Sequence, residues 1–390
     1  EGRIAGIGPA DALRAAHPAA PVTDLGHHLL MAGFVDAHAH YPQTRIIASW
    51  GRRLIDWLNT YTFPEEMRFG DPAYAAEVAG DYLDLCLASG ITTAAAYCTI
   101  HPESVEALMR AAAARGLRLA AGKVMMDRNA PEGLRDDAQS GYDQSKALIE
   151  RWHGAGRLTY AITPRFAPTS SPAQLEAAGA LWREHPDCLV QTHLSEQPEE
   201  IAWVRSLFPA EADYFAVYER FGLAGAGAIM GHAIHLSARE REAIRASGTA
   251  IAHCPTSNAF IGSGLFDATL ARENIVGLAT DVGGGSSFSM LRTMAAAYEI
   301  GQLRGLALHP AQLLWLASQG AADALRMGAR IGNLEAGREA DLIALDLAST
   351  PAIAGRAARA ESLWEAFFPT VMMGDDRAIA GVWIAGRRAK

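Results

Sequence analysis

Cysteine is scarce in this chain: its 390 residues hold four, Cys86, Cys98, Cys188 and Cys254, and no two of them form a CxxC pair. That excludes a disulfide framework and a thiolate zinc site, and it makes a reducing, cytoplasmic setting the expected one. No run reaches the roughly 18 apolar residues that cross a bilayer, and the N-terminal stretch lacks the basic-then-apolar order of a signal peptide, so no membrane role is expected. Positive charge is in deficit too: 34 Lys and Arg face 43 Asp and Glu, a net charge of −9. A nucleic-acid partner is excluded on that ground, because polyanion binding needs clustered cations to displace counterions. The glycine run Gly283 to Gly285 lacks the Lys and Ser/Thr of a phosphate loop and reads as a flexible rim. The chain opens at Glu1 without a Met, inside the strand-like stretch 2–8, so upstream sequence is expected to be missing and the first domain truncated.

What is present is an ordinary globular composition, half hydrophobic and a fifth charged, which suits a small neutral ligand better than a polymer. Length alone admits one large barrel with appendages or two ordinary domains. The order of elements chooses. Short runs rich in β-branched residues at 34–37, 92–97, 117–124, 158–163, 188–192, 228–231, 249–252 and 275–280 alternate with segments of helical period at 72–88, 103–115, 172–183 and 238–246. Gly90, Gly116 and Gly248 stand where such helices would end. Eight βα units close a TIM barrel, so the expected class is α/β, a (β/α)8 barrel over 33–330. The flanks 1–32 and 331–390 carry strand and turn signals, at 342–345 and 382–384 among others, without barrel helices between them. They are assigned to one small β-sandwich domain built from both chain ends.

Polar residues fall at the ends of these runs: His38 and His40, His193, His232, His253 and Asp281. TIM barrels carry catalytic groups at the C-terminal ends of their strands, so these side chains would converge on one mouth. A lone histidine at a strand end is more often a hydrogen-bonded structural residue than a ligand. Five or six that close different strands, in a chain with 13 histidines, make that explanation improbable for the set. His38 and His40 are two apart, a spacing that puts both imidazoles on one face of an extended strand. Imidazoles plus a carboxylate suit zinc, with iron or manganese also compatible. The other histidines, His17, His27, His28, His101, His153, His185 and His309, read as surface or packing residues, and no role is assigned to His235. Glu196 follows His193 by three and could move protons without binding metal. Its bland alternative is an exposed helix-start glutamate with Ser195 as N-cap.

The segment GFVDAHAHYPQ, from Gly33 to Gln43, resembles the first-strand signature of amidohydrolase-superfamily deaminases, and its HxHxxQ form is similar to the guanine deaminase family. Pro164-Arg165-Phe166-Ala167-Pro168-Thr169, QTHLSE from Gln191, GHAIHLS from Gly231, HCPTSN from His253, TDVGGGSSFSML from Thr280 and the closing MGDDRAIAGVWIAGR from Met373 agree in order. Ala32 departs from the proline that many relatives place before Gly33, in the loop into the barrel.

The resemblance implies one zinc ion held by His38, His40, His193, Asp281 and, at or beside the next position, His232. It implies Glu196, Asp281 and His232 as the groups of catalysis, and Gln43, Arg165, Phe166 and His193 against a purine. The implied reaction is hydrolysis of guanine to xanthine and ammonia by a cytoplasmic homodimer. The alternative for Arg165 is a structural salt bridge. Alternatives for the whole are a cytosine, modified-adenine or triazine aminohydrolase, or a scaffold relative that has lost its metal.

Overall fold

The computed structural model describes residues 2–51 and 54–390. Strand β1 (Leu29–Ala32) leads into the central region, where every expected run forms a strand: β2 (Phe34–His40), β3 (Ile91–Tyr97), β4 (Arg118–Gly122) with its continuation β5 (Val124–Met125), β6 (Leu158–Pro164), β7 (Leu189–Leu194), β8 (Ala228–His232), β9 (Ala250–His253) and β10 (Val276–Leu278). All pair in parallel, in the order β2-β3-β4-β6-β7-β8-β9-β10. The first and last strands meet just beyond β10, where Asp281 N donates to His38 O at 2.9 Å and His40 N donates to Val282 O at 2.5 Å. The result is a nearly closed (β/α)8 barrel.

Helices such as Pro72–Ala88, Pro102–Arg115, Pro172–Glu184 and Ala238–Ser247 surround it. Their ends obey local chemistry. The Asp71 carboxylate accepts from Ala73 N at one N-terminus, and Gly116 and Gly248 take the left-handed conformation at two C-termini. The larger core lies between strands and helices. Inside the barrel the side chains are small, including Ala37, Ala95, Ala120, Ala161 and Ala252. Room is short there because the helix Gln319–Ala324 presses Ala321 and Ala322 into the same cluster and packs against β2 and β10.

Two strands depart from the sequence reading. The run 117–124 breaks at Lys123, whose N–H goes to the Tyr160 hydroxyl at 3.2 Å instead of to a neighbouring strand, while its buried ammonium pairs with the Asp136 carboxylate. The last strand stops at Leu278, because Thr280 gives its N–H to the Asp36 side chain at 2.9 Å rather than to a neighbouring strand.

The chain ends do combine. Strands β1, β11 (Leu342–Leu345), β12 (Ile379–Ile384) and β13 (Arg387–Arg388) form a four-stranded antiparallel sheet. Arg118, at the start of β4, and Arg157 both bind Glu339, and Arg157 also reaches Asp341, which fastens this sheet to the N-terminal end of the barrel.

The flanks also hold helices where the sequence suggests only strands and turns. The stretch 2–8 makes a single bridge, Arg3 to Glu339, before the helix Ala10–Ala16, which buries nothing. The helix Leu363–Met373 has apolar residues at helical spacing, burying Phe367 and Val371, and lays Phe368 against Tyr298 of the helix Met290–Leu303 with ring centroids 4.9 Å apart. Among the described residues no helix is long and apolar enough to cross a membrane.

The kink between β4 and β5 requires glycine. A Cβ on Gly122 would lie 1.6 Å from Ala161 O, a main-chain atom of β6 that cannot give way without bending that strand. Gly122→Ala is therefore expected to destabilise the fold by about 3 kcal/mol, at the upper end of overpacking costs. Chemical denaturation of the variant beside the parent measures it, and an unchanged midpoint would refute the argument.

Candidate active site

Strand β2 does not keep a simple alternation. Between Asp36 and Ala39 it advances three residues while β3 advances two, from Ala94 to Ala96, a β-bulge. Val35 and Ala37 therefore belong to the barrel interior, whereas Ala39 joins the outer core. The phase change turns His38 and His40 inward together. Elsewhere the chain leaves its strands abruptly: Ser195, His232, Ala233 and Asp281 all have positive φ, between 49° and 68°. Each such non-glycine residue costs on the order of 1 kcal/mol, and together they aim consecutive side chains into the mouth. Gly231 must lack a side chain, since a Cβ there would stand 2.7 Å from the His38 ring.

Five of the six strand-end residues come together. His40 Nε2 is 3.2 Å from His193 Nε2. Asp281 Oδ1 lies 3.3 Å from His38 Nε2 and 3.5 Å from His40 Nε2, and Asp281 Oδ2 lies 3.8 Å from His232 Nε2. His193 Nδ1 donates to Arg165 O at 2.7 Å, which leaves its Nε2 as a lone pair facing the cluster. His232 Nδ1 likewise donates to Asn258 Oδ1 at 2.9 Å. Such outer hydrogen bonds are how proteins orient ligating imidazoles.

This donor set fits a metal ion. Nitrogen lone pairs face each other across 3.2 Å, and buried His38 Nε2 stands 3.3 Å from Asp281 Oδ1 without the geometry of a hydrogen bond, an arrangement that is costly unless a cation sits among the donors. Donors about 2.0–2.1 Å from one tetrahedral zinc are roughly 3.3–3.4 Å from each other, close to the separations found here. Burial pushes the His38, His40 and His193 imidazoles below their ordinary basicity, the last two strongly, so they are neutral and able to ligate. Burial alone would raise the Asp281 carboxyl. The imidazoles around it, His38 first, outweigh that and hold it at about 2, ionised. Cys254, for which sequence spacing suggests no metal role, has its Sγ within 4.8 Å of ligand atoms of His38, His232 and Asp281. Burial raises its thiol well above the ordinary range and the S–H turns to Ala252 O, so it is a neutral neighbour.

Glu196 is not an exposed helix start. It is 2 % exposed, Ser195 is in the left-handed region, and the helix Pro198–Leu207 is capped by Gln197. Glu196 Oε1 accepts from Ser263 Oγ at 2.7 Å, and Oε2 lies 3.6 Å from His232 Nε2. Burial would lower the His232 imidazole, but the Glu196 and Asp281 carboxylates outweigh it and raise it. His253 stands apart: its ring stacks on Phe266 at 4.1 Å, and burial brings it down to about 3. His235 Nε2 donates to Ser263 O at 2.8 Å.

A narrow cleft begins at this cluster. Leu54, Trp57, Leu58, Phe166 and Ile261 form apolar walls, and Gln43, Arg165 and Glu196 supply polar edges beside His40, His193, His232 and Asp281. Arg165 lines the cleft and also bonds Glu66 Oε2 through Nη1 at 2.6 Å, the salt bridge offered as its alternative role. Gly283 to Gly285 are no flexible rim. All three are buried, Gly283 N donates to Gln43 Oε1 at 3.2 Å, and Gly285 N bonds Asp281 O. Sequence reasoning missed Glu66 and Ser263, which no motif marks. Asn258 sits in the HCPTSN segment and was open to recognition there.

A family model described as "Amidohydrolase family" matches residues 29–389. Guanine deaminase of Escherichia coli (strain K12) is 45% identical over 368 residues, 94% of this chain and 84% of that one. The solved structure "E. coli Guanine Deaminase" superposes with a TM-score of 0.98 at 43% identity, covering 100% of this chain and 91% of the other. The guanine deaminase from C. acetobutylicum, solved "with bound guanine in the active site", gives 0.90 at 28% identity, covering 99% and 92%. On sequence, fold and the side chains gathered at the barrel mouth, this chain belongs to the amidohydrolase family, within its guanine deaminase branch.

Proposed function

We propose that the chain hydrolyses guanine to xanthine and ammonia, with zinc as its metal. The observation that carries this is one cleft holding both a neutral-imidazole and aspartate donor set and, on its walls, Gln43, Arg165 and Phe166. His38, His40, His193 and Asp281 would hold the ion, with His232 beside them. When bound, zinc supplies Lewis acidity that brings the pKa of water from 15.7 to about 7.

The protein's own groups do the rest. Asp281, ionised at neutral pH, takes a proton released by the attacking water. Glu196 is anchored through Oε1 by Ser263, which leaves Oε2 on the His232 side to exchange protons. It passes one proton of the attacking water to the ring nitrogen beside C2, making that carbon electrophilic, and relays the water's second proton, taken up by Asp281 as the C2 hydroxyl becomes a carbonyl, to the amino group as the C2–N bond breaks. Such general acid-base work contributes about 10²- to 10⁴-fold. Arg165, a donor only, and the amide of Gln43 meet the O6 edge, while Phe166 packs on the ring. Adenine puts an amino group where a donor already points, so polar groups would be left unpaired. His193 serves the metal and borders the substrate. Four buried free thiols agree with a cytoplasmic setting, and likeness to the family supports a homodimer.

Metal analysis with a guanine-to-xanthine absorbance assay tests the reading. The expected result is about one zinc per chain and a kcat/KM for guanine at least about 100-fold above those for adenine and cytosine; no turnover of guanine by zinc-replete protein would end it. Glu196→Gln is expected to keep its zinc and lose about 10³-fold or more in kcat. Near-parent turnover in that variant would remove Glu196 from proton transfer.

A further inference from the structure

Glu66 is a fully buried carboxylate that no sequence motif marks and that the chemistry above does not use. It sits at the end of the short helix Phe63–Glu66, and its two oxygens are divided between the two polar residues of the cleft wall. Oε1 accepts from Gln43 Nε2 at 2.9 Å and Oε2 from Arg165 Nη1 at 2.6 Å.

The consequence for Gln43 is orientational. A carboxylate only accepts hydrogen bonds, so the amide must turn its NH₂ toward Glu66. Its other end, Oε1, meets Gly283 N–H at 3.2 Å. Flipping the amide would set oxygen against carboxylate and NH₂ against N–H, two repulsive contacts in place of two bonds. The Gln43 side chain therefore presents one fixed pattern of donor and acceptor to the cleft, although a glutamine alone would accept either.

For Arg165 the consequence is both aim and charge. One end of the guanidinium fork is committed to Glu66, which holds the planar group in place, 5.9 Å over the Phe63 ring. The carboxylate also gives this buried cation its counter-charge. A buried pair of this kind is seldom a source of net stability, because desolvation offsets its attraction.

We infer that Glu66 is a positioning residue for substrate selectivity: by holding the Gln43 amide in one orientation and Arg165 in one place, it makes the cleft accept a carbonyl, and not an amino group, at the six-position of the purine. This rests on the proposed deamination of guanine. It predicts a selective defect. Loss of the bridge should weaken ligands recognised through O6 and spare those without it.

The experiment measures competitive inhibition by hypoxanthine, which keeps the six-oxo group, and by 2-aminopurine, which lacks it, in the parent and in Glu66→Gln. Hypoxanthine is expected to weaken by about 10- to 100-fold, the scale of losing hydrogen bonds to charged groups. 2-Aminopurine should change by less than about twofold. Glu66→Asp is measured alongside. It keeps the charge that Arg165 needs but is a methylene too short to reach both partners, so it reads the same selectivity should the glutamine variant fail to fold. Equal weakening of both inhibitors, or unchanged inhibition in the aspartate variant, would overturn the inference. Failure of the parent to deaminate guanine would instead refute the underlying reading.

Discussion

The Asp281 carboxylate, taken between the imidazoles of His38 and His40 at 3.3 and 3.5 Å, is the interaction on which the rest of the molecule turns. It joins the segment after the last barrel strand to the first, so closing the barrel and assembling the donor set are one event. The surrounding bonds serve the same seam. Asp281 N meets His38 O, and Asp36 binds both the N–H and the hydroxyl of Thr280. Burial lifts the Asp36 carboxyl to about 7 in spite of those bonds, a measure of how far this seam is removed from water. The glycine run that follows folds back on Asp281 and Gln43, tying the imidazole–carboxylate cluster to the Gln43 wall of the cleft.

Charge is managed by position and not by number. The imidazoles of His38, His40 and His193 are crowded and buried, conditions that favour neutral rings and therefore lone pairs. His232 differs because two carboxylates face it, and it is the one imidazole of the cluster whose basicity rises. Arg165 brings a cation to this neighbourhood and Glu66 neutralises it, while the Arg165 carbonyl orients His193. One residue thus connects the cleft wall to the imidazole cluster through two different atoms. Strained backbone at Ser195, His232, Ala233 and Asp281 is tolerated because the strands beneath it are buried and fully paired.

Much of this was legible in the residues. Alternating β-rich and helical runs identify eight strands, and all eight exist, because burial on both faces leaves parallel strands as short apolar runs with polar residues only at their ends. The same logic found His38, His40, His193, His232 and Asp281, which the barrel brings to one mouth, whereas Gln43, Arg165 and Phe166, which line one cleft beside them, were named through the family resemblance. His253 obeys the strand-end rule and yet stacks on Phe266 away from the cluster. The helix Leu363–Met373 was hidden among strand signals, since its apolar face is completed by Tyr298 from a distant helix.

By itself, then, the sequence determined the count and order of the barrel strands, the donor types at their ends and the union of both termini in one small β-domain, because these follow from local periodicity and from chemistry carried residue by residue. Only the tertiary structure decided which way each side chain faces and what holds it. The bulge that turns His38 and His40 inward depends on β3, the burial of Glu196 depends on Ser263 across 67 positions, and Glu66 meets Arg165 across 99. Contacts of that kind leave no local pattern, since a buried carboxylate and a surface one are written with the same letter until the chain has folded around it.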